Sequence, residues 1–228
     1  MANDLSPPRD ILKTDWVYGI LRRRIRDLEL PPGTALRKEE LAVEFGVSRA
    51  PLSEAIARLA EEGLVEVFPQ HGSFVAEIRA RDVREGLFIR MGLEIQAMRE
   101  AASAGDADLL AALDANIEAQ AESLRVDDLQ RFYELDEDLH DRIFLAVGHA
   151  RARRFLDSAR AQLDRVRRLT LPEGGRPEAT LNEHRRLVEA LRTGDADFAA
   201  GAMRVHLAAV VQAVEQQLLR VPDPFERK

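Results

Sequence analysis

Residues 40–64 constrain the fold of this chain most, because they predict two short helices joined by a tight turn. Gly46 ends the first helix, since glycine leaves a helix through a left-handed conformation at little cost. Ser48 stands at the N-cap position of the second helix, where its hydroxyl can accept from a free backbone N–H. The second helix repeats its apolar residues at helical spacing until Gly63 stops it. This pattern indicates a helix-turn-helix, although an ordinary helical hairpin has the same spacing.

The residues that follow favour the DNA-binding interpretation over the plain hairpin. Residues 64–68 and 73–76 are short β-like runs on either side of a turn that contains Pro69 and Gly72. They predict a β-hairpin, and glycine at its tip permits the turn. A hairpin directly after a helix-turn-helix is the wing of a winged helix. Arg49, at the start of the second helix, is then expected to face a DNA groove.

These residues together resemble the DNA-binding domain of the GntR family. The matching residues are Pro32, Gly33, Leu36, Leu41, Ala42, residues 45–52, Glu54, Ala55, Leu59, residues 62–65 and residues 72–75. Two positions depart from the usual family pattern, because Ala50 replaces a common threonine and Ser53 replaces a common arginine. The resemblance implies a DNA-binding domain over residues 1–78. The residues expected to contact DNA are Arg37, Lys38, Ser48, Arg49, Ala50, His71 and Gly72.

Composition limits the class of protein. The 228 residues have room for one large or two modest domains. A hydrophobic fraction of 46%, with only 5% aromatic residues, favours helices. Cysteine is absent, which excludes disulfide and thiolate chemistry and fits a reducing compartment. No apolar run approaches the ~20 residues of a membrane helix, and the first residues lack a signal-peptide pattern. We therefore expect a cytoplasmic protein without a membrane partner.

The charge balance is unusual for a DNA-binding protein. The formal net charge is −7, and residues 1–80 hold 11 Lys and Arg against 13 Asp and Glu. DNA binding therefore requires basic residues to gather on one face while the acidic residues point elsewhere. A solvated helix face is the favoured interpretation of the arginine run from Arg22 to Arg26, and a DNA-facing cluster is the alternative. We expect modest non-specific affinity that falls with salt.

Residues 78–82 are the expected linker, and the chain beyond them predicts helices only. Thr14 is the expected N-cap of an earlier helix that reaches Leu28, after an N-terminal arm at residues 1–10. The six helices predicted after the linker span residues 83–104, 106–124, 127–147, 151–169, 179–192 and 195–220, with one substantial loop at residues 171–177. Asp106 and Asp195 follow glycines as N-caps. The predicted fold is mainly α, a winged helix-turn-helix followed by an all-α antiparallel bundle over residues 79–228.

Four side chains of the bundle form a candidate metal site. Asp136 and His140 are one helical turn apart. His184 precedes Gly194 by ten residues and His206 follows it by twelve, so an antiparallel pair places them ~15 and ~18 Å from the turn. Nitrogen and oxygen donors of this kind suit Zn, Ni, Fe or Mn. The alternative is that the histidines are ordinary packing residues.

The same half of the chain resembles the FCD effector domain of FadR-type GntR regulators. The matching residues are Arg90, Leu93, Glu94, Asp136, His140, Glu183, His184, Met203, His206 and Leu207. The resemblance implies a metal bound by the Asp/His/His/His set and an organic-acid effector beside it, with Arg90 at the effector pocket. A salt bridge from Arg90 to Glu94 is the alternative. His149 stands where asparagine is common and is not an expected ligand, and six helices point to the VanR-like subgroup.

The leading hypothesis is a ligand-responsive transcription repressor, a homodimer that binds a palindromic operator and a small carboxylate metabolite. Two alternatives use the same four residues: a metal-dependent enzyme that activates water, and a sensor for which the metal itself is the signal. The sequence has no obvious general base or nucleophile motif beside the set, and an enzyme would leave the winged helix unexplained. We therefore expect no enzymatic activity.

Overall fold

The computed structural model describes residues 12–170 and 176–218, which form nine helices and two strands. In chain order the elements are α1 (Lys13–Arg26), α2 (Lys38–Glu44), α3 (Arg49–Glu61), β1 (Val65–Phe68), β2 (Gly72–Val75), α4 (Ala80–Ala104), α5 (Ala107–Arg125), α6 (Leu129–Ala146), α7 (Ala150–Thr170), α8 (Arg176–Arg192) and α9 (Ala196–Leu218). The predicted fold class is confirmed. The predicted arm at residues 1–10, residues 171–175 of the predicted loop and the last predicted helical residues after 218 lie outside the described residues.

The chain divides into two compact units. Among the described residues, the first comprises residues 12–83 together with residues 161–168 of α7, and the second comprises residues 84–160, 169–170 and 176–218. The division into domains at residue 78 stays a prediction.

The first unit is a three-helix core closed by the β1–β2 hairpin. The strands are antiparallel, with Val65 opposite Val75 and Phe68 opposite Gly72. The core side chains are Val17, Leu21, Ile25, Leu36, Leu41, Phe45, Val47, Leu52, Ala55, Ile56, Leu59, Leu64, Val65, Val75 and Ala161. Trp16 packs edge-on against Phe45 with ring centroids 5.8 Å apart. This core fixes α3 relative to α2, so the start of α3 has one defined orientation within the unit.

The helix ends of this unit follow the sequence in part. Gly46 has a φ of +60° directly after α2, as its glycine predicts. Ser48 is the N-cap of α3, but the predicted side-chain capping bond is absent among the described residues. Pro51 explains part of the absence of this capping bond, because it occupies the third helical position and has no N–H to donate.

The prediction that Thr14 caps α1 is wrong. The helix begins at Lys13, and the Thr14 hydroxyl donates to Glu54 instead.

The arginine run of α1 is held by ion pairs inside the first unit. Arg22 Nε lies 2.8 Å from Glu62 Oε2, and Arg24 Nη2 lies 2.7 Å from Glu44 Oε1. The side chains of both arginines are mostly covered. These two arginines stabilise the packing of α1 against its neighbours rather than forming a free cationic surface.

The second unit contains α4 to α6, the first half of α7, α8 and α9. Helix α5 packs against α6 and α8, and α8 packs against α9.

The helix ends of the second unit follow the sequence at two predicted N-caps. The side chain of Asp106 accepts from Asp108 N and Leu109 N, and that of Asp195 accepts from Asp197 N and Phe198 N, which confirms both caps. Helix α8 begins three residues before its predicted start, with Pro177 in its first turn, where a missing N–H costs nothing. Within the described residues, no helix is both long and apolar enough to cross a membrane.

Candidate functional site

Three histidines from three different helices meet in the core of the second unit. His140 lies on α6, His184 on α8 and His206 on α9, and all three are buried. Their ring centroids are 5.0 to 5.4 Å apart, and one ligand atom from each lies within 4.8 Å of those of the other two. His184 and His206 therefore share one level of the α8–α9 pair, as their distances in sequence from Gly194 predict.

Asp136 lies at the edge of this cluster. It is buried one turn before His140 on α6, and its Oδ1 lies 3.3 Å from His184 Nε2. The compact group of possible ligands comprises the three histidines, and Asp136 adds a carboxylate through the side facing His184.

Each imidazole has a side-chain oxygen within 2.8 Å of its Nδ1. His184 Nδ1 lies 2.8 Å from Gln120 Oε1, and His206 Nδ1 lies 2.8 Å from Glu183 Oε2. His140 Nδ1 lies 2.7 Å from Glu94 Oε2, but off the line that a hydrogen bond needs, so this contact orients the ring less firmly. When Nδ1 carries the proton, Nε2 carries a lone pair and can bind a metal.

The surroundings of the buried Nε2 atoms show whether a metal fits this site. Among the described residues, Nε2 of His140 and Nε2 of His206 have no hydrogen-bond partner. Such orphaned atoms are costly in a core unless a cation or water satisfies them. Burial also lowers the pKa of His140 to about 4, against the opposing effect of Glu94, so this imidazole is neutral near pH 7. Imidazole nitrogens beside a carboxylate fit a borderline divalent cation.

Glu94 is the centre of a charged network next to His140. Arg90 Nε lies 2.6 Å and Arg160 Nη2 lies 2.8 Å from the same Glu94 oxygen. Burial alone would raise the pKa of the Glu94 carboxyl, but Arg160, Arg90 and His140 together hold it well below its usual value. The ion pair between Arg90 and Glu94, one of the two alternatives for Arg90, is present. Arg90 still has a buried Nη1 without a hydrogen-bond partner among the described residues.

Sequence reasoning missed the residues that hold the imidazoles. Gln120 and Glu183 were not identified as site residues, and Arg160, 66 positions from Glu94, was not identified either. One signal was available for Gln120: it follows Asn116 by one helical turn on the buried face of α5. Two amides on an apolar stripe require partners, and here Gln120 finds one in the histidine cluster.

The predicted DNA-contact residues are placed around the helix-turn-helix and the hairpin turn. Arg37 and Lys38 lie at the start of α2, and Ser48, Arg49 and Ala50 lie at the start of α3. His71 and Gly72 lie at the turn between β1 and β2, and all seven residues except the half-buried Lys38 are exposed. Both arginines are paired with acids of α2, since Arg49 Nη2 lies 3.2 Å from Glu39 Oε1 and Arg37 Nη1 lies 2.9 Å from Glu40 Oε1.

A winged helix-turn-helix followed by an all-helical unit with a buried histidine cluster defines a class of two-domain transcription regulators. The family described as bacterial regulatory proteins, gntR family, matches residues 13–75, and the FCD domain matches residues 85–209. The chain belongs to the GntR family of transcription regulators and carries an FCD domain.

Relatives and solved structures agree with this assignment. The chain is 37% identical to an uncharacterised HTH-type transcriptional regulator of Streptomyces ambofaciens, over 92% of this chain and 88% of that protein. It is 35% identical to the HTH-type transcriptional repressor RspR of Escherichia coli K12, over 95% and 94%. A GntR family member from Pseudomonas syringae is 30% identical over 95% and 92%, with a TM-score of 0.52. The E. coli McbR/YncC structure, at 19% identity, shares the fold with a TM-score of 0.81 over 91% and 99%. The protein is a DNA-binding transcription regulator and not an enzyme.

Proposed function

We propose that this regulator is a repressor whose operator affinity is controlled by a small organic acid, bound beside a divalent metal in the second unit. The observation that carries the proposal is the convergence of three buried imidazoles, each with an oxygen of Glu94, Gln120 or Glu183 within 2.8 Å of its Nδ1. A core without a metal would gain more from apolar side chains at these positions, because buried polar atoms need partners.

The proposed metal ligands are Asp136, His140, His184 and His206. Three nitrogen donors and one carboxylate favour Zn, Ni, Fe or Mn over calcium, which prefers oxygen ligands only. When bound, such a cation supplies positive charge and a coordination position for a carboxylate oxygen.

Arg90 is the proposed effector-binding residue. Its Nε and Nη2 bind Glu94, while its buried Nη1 has no hydrogen-bond partner among the described residues. A guanidinium donor with unused capacity suits an incoming carboxylate. Arg90 lies on α4, the helix that follows the wing in the chain. A ligand held there can change operator affinity only through the difference in its affinity for the DNA-competent and DNA-incompetent states.

The first unit supplies the proposed DNA contacts. Arg49 and Arg37 exchange their bonds to Glu39 and Glu40 for DNA when the helix-turn-helix docks. The Ser48 hydroxyl makes no capping bond among the described residues, which leaves it available for a phosphate. The proposed domains are residues 1–78 for DNA binding and residues 79–228 for effector binding and dimerisation, in a cytoplasmic homodimer on a palindromic operator. The repressor name of the relative RspR supports the sign of regulation.

The first experiment is metal analysis of full-length protein purified without an affinity tag, followed by titration of the stripped protein with Zn, Ni and Mn salts. The His206→Ala variant should lose tight metal binding, because it removes one ligand. The matched control is His149→Ala, since His149 is exposed and pairs with Glu100 rather than with the cluster. A wild type that neither holds nor takes up metal would show that the histidines are packing residues and would end the proposal.

The second experiment measures affinity for a footprinted operator against a panel of small carboxylates, with and without metal. We expect a carboxylate to weaken DNA binding in wild type and in His149→Ala, and to have little effect in His206→Ala, whose affinity without ligand stays close to wild type. A change of operator affinity on addition of metal alone, unaltered by every carboxylate, would favour the metal-sensor alternative.

A further inference from the structure

We propose that Asn116 and Gln120 are positioning residues, which form a hydrogen-bond relay that fixes His184 in the tautomer with Nε2 open to the metal. The inference rests on the proposed metal site. It concerns a pair of neutral amides on α5, neither of which is among the proposed ligands.

The relay starts at two groups that can only accept hydrogen bonds. Asn116 Nδ2 lies 3.0 Å from the backbone carbonyl oxygen of Leu135 and 2.8 Å from Asp138 Oδ2. Arg142 Nε donates to the same Asp138 oxygen at 2.6 Å, so this oxygen acts as an acceptor. A carbonyl and a carboxylate both require a donor, so Asn116 must turn its NH₂ group toward α6.

The orientation of Asn116 then determines that of Gln120. With its NH₂ toward α6, Asn116 presents Oδ1 to Gln120, whose Nε2 lies 2.6 Å away and donates. Gln120 is thereby left with Oε1 facing His184 Nδ1 at 2.8 Å. Reversing both amides would place the Asn116 oxygen against the Leu135 and Asp138 oxygens, two repulsive contacts in a buried site. The network therefore has one direction.

At His184 the relay decides between two tautomers. An oxygen acceptor at Nδ1 requires Nδ1–H, which leaves the lone pair on Nε2. The competing tautomer would place the proton on Nε2, 3.3 Å from Asp136 Oδ1, and would block the nitrogen that faces the cluster. The relay therefore disfavours the Nε2–H tautomer of His184 even in the metal-free protein.

The need for a second residue follows from the chemistry of the amide. His140 and His206 face the carboxylates of Glu94 and Glu183, which lack a donor when ionised and need no further orientation. An amide can present either its oxygen or its NH₂, so Gln120 specifies a tautomer only because Asn116 orients it. The amide also avoids adding a second carboxylate next to His184, where Asp136 already lies.

The direct test is a long-range ¹H–¹⁵N NMR spectrum of the histidine rings in metal-free, full-length wild type. We expect His184 to be protonated at Nδ1. The variants Gln120→Leu and Asn116→Leu should lose this single tautomer, while Ser123→Ala should keep it. Ser123 is the matched control, because it is a buried polar residue of α5 whose hydroxyl bonds the Gln120 backbone carbonyl and takes no part in the relay.

Cobalt(II) titration, followed by visible absorption, supplies a second readout. Loss of an outer partner of a histidine ligand should weaken Co(II) binding about 10- to 100-fold in Gln120→Leu, with a smaller loss in Asn116→Leu. Gln120→Glu alone should not restore affinity, because the oriented Asn116 Oδ1 would then face a carboxylate oxygen where it now accepts from Gln120 Nε2 at 2.6 Å. The double variant Gln120→Glu/Asn116→Leu removes this repulsion and still offers an acceptor to Nδ1, so it should bind Co(II) more tightly than Gln120→Leu.

Different results would overturn the hydrogen-bond relay and the metal site. His184 protonated at Nε2 in metal-free wild type would overturn the relay, whether or not a variant folds. An unchanged His184 tautomer in a folded Gln120→Leu variant would also overturn it. Wild type with the Nδ1–H tautomer but no Co(II) binding would refute the metal site while the relay stood.

Discussion

The five histidines of this chain differ in what surrounds them, and that difference separates the proposed metal ligands from the others. His71 is exposed at the hairpin turn, and His149 is exposed against Glu100. His140, His184 and His206 are buried, and each contacts an acceptor at Nδ1. A buried imidazole whose Nδ1 faces an acceptor has only Nε2 to offer to a metal. Side-chain environment therefore separates three candidate ligands from two surface residues of the same type.

At Arg49 we predict loss of operator specificity in the Arg49→Ala variant. The residue lies at the start of α3 with 72% of its side chain exposed, and losing one bidentate base contact should cost about 1–3 kcal/mol. Fluorescence anisotropy with operator and scrambled DNA measures the change. Arg125→Ala is the control, because that side chain is 70% exposed and also ion-paired, but lies in the second unit. Equal affinity and footprints for both variants would refute the role of Arg49.

Tyr18 gives a prediction for stability at alkaline pH. Its hydroxyl donates to the Glu62 carboxylate, and burial together with this bond raises its pKa to about 12 from 10.0. A pKa that is raised in the folded state contributes stability that is present below pH 10 and lost as the pH rises through 12. The free energy of unfolding of wild type should therefore fall more steeply between pH 10 and 12 than that of Tyr18→Phe. Parallel curves from chemical denaturation would contradict the assignment.

At the scale of elements, the sequence predicted what depends on neighbouring residues. Gly46 and the caps Asp106 and Asp195 act within one turn of the chain, so their patterns were sufficient. The prediction that Thr14 caps α1 was wrong for a long-range reason, because the Thr14 hydroxyl donates to Glu54, 40 positions away in the sequence. Local spacing contains no information on which distant acid a side chain will meet after packing.

The same distinction between local and long-range contacts applies to the candidate site. The shared level of His184 and His206 follows from the regular rise of two antiparallel helices around Gly194, so the sequence predicted it. The contacts of Gln120 with His184 and of Arg160 with Glu94 depend on which faces α5 and α7 turn inward. Three-dimensional packing decides those faces, and single-sequence patterns specify them poorly.

Helix α4 approaches α7 closely at Gly86, which gives a prediction at the same scale. A Cβ at Gly86 would lie 2.2 Å from the backbone oxygen of Ala159, and backbone cannot move aside as a side chain can. Gly86→Ala should destabilise the second unit by about 1–3 kcal/mol despite the better helix propensity of alanine. Gly201→Ala on α9 is the control, because its Cβ would meet nothing within 4 Å, and it should be neutral or stabilising. Thermal unfolding of both variants measures the difference, and a stable Gly86→Ala would contradict the close approach.

For the whole molecule, we predict that a second copy binds the exposed apolar side chains of the second unit. Phe88 on α4 is 81% exposed and Phe155 on α7 is 69% exposed. Both line an open apolar groove of about 800 Å³ that also includes Met91, Ile95 and Ala152. Monomeric proteins rarely leave such a patch in water. A symmetric pair through this face would provide the two recognition helices that a palindromic operator requires.

We therefore predict that Phe88→Glu, and more strongly Phe88→Glu combined with Phe155→Glu, converts the protein from a dimer to a monomer. Placing carboxylates in a closed apolar interface leaves them without partners, and each unpaired charge opposes association. Sedimentation velocity at micromolar concentration measures the mass, and operator binding should weaken in parallel, because one short recognition helix contacts only one half-site. Val126→Glu is the control, since Val126 is 55% exposed in the same unit but does not line the groove, and it should remain dimeric. A monomeric wild type that binds a palindromic operator with full affinity would refute the dimer, and a double variant that remains dimeric would place the interface on another face.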